Sequence, residues 1–237
     1  MKLDFVNNKE LVLVLSQKSD SNLRVFRDDS NQTTEGDRKR YFSSLGLDYG
    51  QVVAADLVHG DNIVLVTEEN KARVIPGCDA LATNIPGIIL AITVADCLPL
   101  YFFDSNKKAV ALSHAGWRGV KADIAGKVVR SMAKNYGSNP ENIAVLVGPH
   151  IGLCHFEVQS DVAEEFALWP DYIEKRFGKT FIDLAGIVRA QLLEVGVNPG
   201  SINISSECTY CLPNKYFSYR RDHPAEFEVM AAGIGIR

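Results

Sequence analysis

The most apolar stretch of the chain, Ile85 to Phe103, has about the length of a membrane span, so what interrupts it decides the fold class. Pro86, Gly87, Asp96 and Pro99 all fall inside it. A charge and two prolines are costly in a lipid-spanning helix, and the stretch reads instead as two buried strands, Ile88–Val94 and Leu98–Phe103. A third run, Ala109–Ser113, follows after Ser105-Asn106-Lys107-Lys108, a plausible hairpin turn. Upstream, Leu11–Leu15, Gln51–Ala55 and Ile63–Thr67 are strand-length apolar runs, the last two separated by the polar turn His59-Gly60-Asp61-Asn62.

Downstream the period changes. Val120, Ile124, Val128, Met132 and Tyr136 recur every fourth residue until Gly137, which predicts an amphipathic helix with a glycine cap. Ile143–Val147 reads as another strand, and helices are expected at Ser160–Leu168 and Asp183–Val195, with Ser160 and Asp183 as N-caps. Residues 16–41 form a polar, charge-rich segment. With no repeat and no Pro/Gly/Ser linker, residues 1–237 read as one domain. Hairpin-length connections make the sheets mixed or antiparallel, an α+β arrangement.

Composition narrows the class of function. The chain has 237 residues and a net charge of −4, without the basic excess that phosphate-backbone binding demands, so nucleic acid is not an expected partner. No membrane association or protein partner is evident. The amino terminus, MKLDFVNNKE, lacks the long apolar core of an export signal, and five cysteines are an odd number for a disulfide framework. Reduced thiols and a cytoplasmic location are expected.

Three residues able to bind a metal, His59, Cys97 and His114, fall at expected strand ends beside Gly or Pro. Two histidines and a cysteine with one open position form the ligand pattern of a catalytic zinc site, because three protein ligands leave room for a water. Their long separations are not a motif, and each alone reads more readily as a satisfied half-buried polar group than as a ligand.

The surrounding residues add more. Val94-Ala95-Asp96-Cys97-Leu98-Pro99 and Ser113-His114-Ala115-Gly116-Trp117-Arg118-Gly119, with Val58-His59-Gly60, Gly77-Cys78-Asp79-Ala80-Leu81, Gly148-Pro149-His150-Ile151-Gly152 and Cys208-Thr209-Tyr210-Cys211, resemble the YfiH-like laccase-domain proteins. That family is also labelled polyphenol oxidase or peptidoglycan editing factor. The resemblance runs from about Ser21 to the C-terminus through Phe217-Ser218-Tyr219-Arg220-Arg221-Asp222. It implies a four-layer α/β/β/α sandwich and a zinc ion held by His59, Cys97 and His114. It also implies a purine nucleoside phosphorylase acting with phosphate on adenosine, inosine, guanosine or methylthioadenosine, and an adenosine deaminase.

The residues accommodate both reactions. Zinc would activate water for attack at C6 of adenine, while phosphorolysis needs an anion site beneath the ribose C1′. The opening Gly116–Gly119 with Arg118, joined by Arg220 and Arg221, is a candidate phosphate cradle, and Trp117, Tyr219 or Phe217 a platform for the base. Asn22 and Arg24 match an early segment that lies near the pocket in relatives. Asp96 is expected to orient His114, or to serve as an acid/base.

Rival chemistries use overlapping residues. A multicopper oxidase needs a blue site plus a histidine-rich cluster, and five histidines with no His-x-His pair do not supply it. A Cys97 nucleophile with His114 as base would be an amide hydrolase, in keeping with the peptidoglycan-editing label. His155-Phe156-Glu157 with Cys208-x-x-Cys211 imitates the zinc deaminase motif, but Glu207 stands where its proline belongs. Without matching ligands, that Cys-x-x-Cys reads most simply as packing. Three features depart from the family: Leu57 replaces a glutamine, Cys154-His155 replaces a cysteine pair, and Asp222-His223-Pro224-Ala225-Glu226-Phe227 replaces a Gly/Thr-rich continuation.

Overall fold

The computed structural model describes residues 10–25 and 32–237. Nearly all of the stretch read as lacking an export signal, residues 1–9, lies outside the described residues, as does part of the polar segment, residues 26–31. In chain order the strands are β1 (Leu11–Leu15), β2 (Val52–Asp56), β3 (Ile63–Leu65), β4 (Val74–Pro76), β5 (Ala80–Thr83), β6 (Ile89–Val94) and β7 (Leu98–Asp104). They continue as β8 (Ala109–Ala115), β9 (Ile143–Val147), β10 (Glu157–Val158), β11 (Ile173–Arg176), β12 (Lys179–Ile182), β13 (Ile202–Ile204) and β14 (Met230–Ile236). The helices are α1 (Gln32–Ser44), α2 (Trp117–Lys121), α3 (Ile124–Tyr136), α4 (Ser160–Glu164), α5 (Leu184–Glu194) and α6 (Tyr219–Asp222).

Two mixed sheets carry the fold. One has the order β1-β14-β6-β2-β4 and the other β13-β9-β7-β8-β5-β3, while β10, β12 and β11 form a small antiparallel sheet. The pairs β2–β6, β2–β4, β3–β5 and β9–β13 run parallel and the remaining pairs of the two large sheets antiparallel. The α+β class is therefore as expected.

Alternation of side chains along each strand sets the layers. From β6, Leu90, Ile92 and Val94 point to one face and Ile89 and Ala91 to the other. From β7, Tyr101 and Phe103 join Leu90 and Ile92 between the two sheets, while Leu98, Leu100 and Phe102 pack on Val128, Met132, Ile187 and Val188 of α3 and α5. On the far side, Tyr41 and Phe42 of α1 cover Val12, Val52 and Ile89. The order is thus helix, sheet, sheet, helix. The Tyr101 hydroxyl, fully buried between the sheets, donates to the Val14 carbonyl at 3.0 Å and so ties one sheet to the other.

The closing strand β14 lies between β1 and β6. A Cβ at Gly235 would stand 2.6 Å from the Ile88 carbonyl and 2.5 Å from Ile89 Cδ1, so only glycine permits this approach.

Three expectations change in detail. The helix read continuously from Val120 to Tyr136 is two helices, because Asp123 adopts φ +58° and its side chain accepts from the Gly126 N–H, starting α3 afresh. The helix from Ser160 ends at Glu164, short of Leu168, and Gln159 occupies the N-cap position in place of Ser160. Asp183 caps α5 as expected, accepting from Gly186. The polar segment read over residues 16–41 contains most of α1.

Candidate functional site

The two sheets bring His59, Cys97 and His114 to one place. His59 follows β2, Cys97 is in the tight link between β6 and β7, and His114 lies on β8, paired across from Pro99. Their ligand atoms lie within 4.8 Å of one another, and the two imidazole rings are edge-on with centroids 4.8 Å apart. His114 is 3% exposed. His59 and Asp96 both take positive φ, +57° and +81°, a strained backbone of the kind that collects at functional sites.

Asp79, at the start of β5 and wholly buried, organises the cluster. Its Oδ1 is 3.1 Å from His114 Nδ1 and accepts the His59 N–H at 2.8 Å, while Oδ2 accepts the Gly60 N–H at 2.7 Å. With Nδ1 engaged, Nε2 is the nitrogen His114 has left for a metal, the carboxylate–histidine arrangement that fixes a ligand's tautomer. Burial alone would raise the Asp79 carboxyl, but the His114 contact and the backbone N–H groups bring it below the usual range. This corrects the role expected of Asp96. The carboxylate orienting His114 belongs to Asp79, a residue to which sequence reasoning gave no role.

Asp96 faces the other way. Its oxygens accept from the Thr209 hydroxyl at 2.6 Å, the Ser218 hydroxyl at 3.0 Å and the Arg220 N–H at 2.7 Å. It therefore pins the carboxy-terminal segment against the β6–β7 link.

Electrostatics inside the cluster are opposed to burial. Burial would push the Cys97 thiol up, yet the imidazoles of His114 and His59 bring it down to about 6. Burial would lower His114, yet the facing Cys97 and Asp79 raise it to about 9. A set of one thiolate and two imidazoles is a donor set suited to zinc. Gly116 leaves space beside it, since a Cβ there would come within 3.3 Å of Cys97 Sγ and 3.5 Å of His59 Cδ2. A blue copper site commonly adds a methionine axial ligand, and the methionines among the described residues, Met132 and Met230, are both in the core elsewhere.

The cluster opens into a cleft of about 600 Å³, within the range of small-molecule sites. Arg24, Trp117, Tyr219, Arg220 and Phe227 are on its wall. Tyr219 and Phe227 stack on each other, centroids 5.3 Å apart and 15° between planes, and both are about half exposed. Phe227 lies in the stretch where the chain departs from its resemblance, and no local pattern in the sequence singles it out. Arg24 reaches over the Phe227 ring at 5.2 Å.

The other expected contacts fall outside the cleft wall. Asn22 uses its amide to donate to the Phe227 carbonyl and accept from the Val229 N–H, which positions the segment carrying Phe227. Arg118 is exposed and lies across the Trp117 ring at 4.2 Å. Arg221 donates to the carbonyls of Thr209, Tyr210 and Tyr216 and pairs with Asp222, so it braces the loop beneath the cleft. Phe217 is 3% exposed and belongs to the core between the sheets.

Among the described residues no helix is long and apolar enough to cross a membrane. Residues 14–237 match the family described as multi-copper polyphenol oxidoreductase laccase. The chain is 32% identical over 223 residues to the purine nucleoside phosphorylase YlmD of Geobacillus stearothermophilus, covering 89% of this chain and 81% of that protein. It is 34% identical over 190 residues to adenosine deaminase RL5 from an unknown prokaryotic organism, covering 75% and 72% respectively. The crystal structure of YlmD from Geobacillus stearothermophilus superposes with a TM-score of 0.90 at 31% identity, over 97% of this chain and 93% of that one.

Proposed function

Since the chain belongs to the laccase-domain family whose relatives include the YfiH and YlmD proteins, we propose that it is a zinc-dependent purine nucleoside phosphorylase that also deaminates adenosine. Residues 1–237 would form one catalytic domain, and five cysteines with no disulfide between them suit the cytoplasm. The observation that carries the reading is the convergence of His59, Cys97 and His114 at the floor of a cleft walled by aromatic rings and arginines.

His59, Cys97 and His114 would hold the ion, with Asp79 fixing the His114 ring. Bound there, zinc supplies Lewis acidity and lowers the pKa of a coordinated water. Tyr219, Phe227 and Trp117 offer faces for a purine, and Arg24 and Arg220 bring positive charge to the wall where phosphate would sit. In phosphorolysis a phosphate oxygen bonds to C1′ as the glycosidic C–N bond breaks, and the purine leaves with the electron pair and takes a proton. In deamination water adds at C6 and ammonia leaves. Asp96 holds Arg220 through its N–H and so sets the position of that charge.

Multi-copper chemistry does not fit this site, because two histidines and a cysteine give one mononuclear site with no second histidine-rich cluster among the described residues. A second reading does have an observation behind it. Without metal, the lowered Cys97 thiol beside the raised His114 is the pairing of a cysteine amide hydrolase, which would act on peptidoglycan precursors.

Chromatography of products from adenosine and from inosine, with and without phosphate and a chelator, separates these readings. Phosphate-dependent free base and ribose phosphate, together with inosine formed from adenosine, are expected, and both lost on chelation. Intact nucleosides alongside a cleaved muropeptide would sink the phosphorylase reading.

A further inference from the structure

A second cluster, sharing no residue with the first, is formed by Cys154, His155, Cys208 and Cys211. The sequence reading found the Cys208-x-x-Cys211 pair without matching ligands, and the fold supplies them. An isolated parallel bridge joins His150 to Cys208, with the Thr209 N–H donating to the His150 carbonyl at 3.0 Å. This lays the loop after β9 against the loop after β13. All four ligand atoms then lie within 4.8 Å of one another.

We propose that these four residues form a structural zinc site. The distances fit a closed tetrahedral site. Cys154 Sγ and Cys211 Sγ are 3.8 Å apart, too far for a disulfide. Zinc–sulfur bonds of about 2.3 Å in a tetrahedron place sulfurs roughly 3.8 Å apart. His155 Nδ1 lies 3.2 Å from Cys154 Sγ and 3.3 Å from Cys211 Sγ, completing one face of the set.

The surroundings are those of a held metal ligand set. The Gly152 N–H donates to Cys208 Sγ at 3.3 Å, as outer N–H groups do to zinc-bound thiolates. Gly152 lies against the set, since a Cβ there would be in van der Waals contact with Cys154 Sγ at 3.4 Å and with Cys208 Sγ at 3.9 Å. The His155 ring is stacked on Tyr210 at 4.0 Å and 15°, which fixes its plane. Arg176 donates to the Leu153 and Cys154 carbonyls from the far side, and its charge offsets the single negative charge left by three thiolates and Zn²⁺. Binding is not a redox step. Three thiols release protons to solvent, and four protein ligands leave no position for substrate.

The site has a purpose in the fold. One loop continues into Phe156, on the cleft wall, and the other carries Thr209, which binds Asp96. Arg221 grips that second loop through the Thr209 and Tyr210 carbonyls. A zinc ion there fastens the loop that leads to Phe156 on the cleft wall to the loop whose Thr209 holds Asp96. The inference does not depend on the reaction proposed above.

The test begins with the full chain carrying His59→Ala and His114→Ala, which disables the first cluster. About one zinc per chain is expected to remain, with three sulfurs and one nitrogen around it by X-ray absorption. Adding Cys208→Ser and Cys211→Ser is expected to remove it. The unaltered protein gives an independent arm in case those variants fold poorly: iodoacetamide should label Cys154 and Cys211, although exposed, only after a strong chelator is added. Loss of all zinc from the histidine variant, zinc retained after the cysteine exchanges, or immediate labelling of Cys154 and Cys211 in the unaltered protein would each overturn the proposal.

Discussion

Asp79 Oδ1 lies 3.1 Å from His114 Nδ1 and accepts the His59 N–H at 2.8 Å, so one buried oxygen aligns two histidines of the candidate metal cluster. Asp79→Asn keeps the size but places an N–H₂ against donors. If it retains Oδ1 toward His114, its amide nitrogen meets the Gly60 N–H, which now has no acceptor. Metal affinity is expected to fall about 10–100-fold, the range for losing such a partner, while the chain still folds. Competition with a chelator of known affinity measures this. Unchanged affinity would show that the carboxylate serves only to hold the loop.

Gly116→Val tests the space beside the cluster. Gly116 has φ −72°, so a side chain costs nothing in backbone strain. Its Cβ, however, would approach Cys97 Sγ and His59 Cδ2 at 3.3 and 3.5 Å, and the added methyl groups come closer still. A drop of at least about tenfold in kcat/KM is expected, as is usual when reacting groups are displaced by a fraction of an ångström. The melting temperature should change little. Full activity in the valine protein would mean that substrate and metal lie away from Gly116.

Legibility followed distance along the chain. β1 and β9 coincide with their apolar runs, and β6 and β7 were recognisable as separate strands from Pro86, Gly87, Asp96 and Pro99. His59, Cys97 and His114 were legible as candidate ligands because strand ends next to Gly or Pro are visible locally and the segments around them carry the family resemblance. Asp79 was not, since its partners are created only when β5 pairs with β8. The break at Asp123 was hidden because the four-residue apolar period runs straight through it. α1 is polar over most of its length, and the structure buries it through Tyr41 and Phe42, so its helical nature rests on tertiary packing. The second cysteine cluster needed the His150–Cys208 bridge before its ligands could meet.

Asp96→Ala separates positioning from catalysis. Thr209 and Ser218, 0% and 1% exposed, would lose their acceptor, as would the Arg220 N–H. A buried polar group left without a partner costs about 1–3 kcal/mol, so a loss of roughly 3 kcal/mol or more is expected in urea unfolding. Asp96→Asn retains one acceptor oxygen and is expected to recover part of both the stability and the activity. An alanine variant as stable as the original but without activity would instead make Asp96 a catalytic residue.

Tyr219 and Phe227 give the sharpest check on the substrate class, because their stacked rings face the cleft and lie outside the three core clusters of the sandwich. Both are about half exposed, so alanine at either position leaves no cavity and is expected to change folding stability by less than about 0.5 kcal/mol. If a purine stacks there, each ring contributes about 1–3 kcal/mol to holding it, as base–aromatic contacts do in other sites. Phe227→Ala should then raise KM for inosine and adenosine about fivefold or more with kcat nearly unchanged, since stacking serves bound substrate and transition state alike. The double variant should lose less than the sum of the singles, because each ring supports the other. Steady-state kinetics with both nucleosides decides it. A fall in kcat at constant KM would place the aromatic pair in closure over the reacting atoms, and no change in either constant would remove the purine from this wall of the cleft.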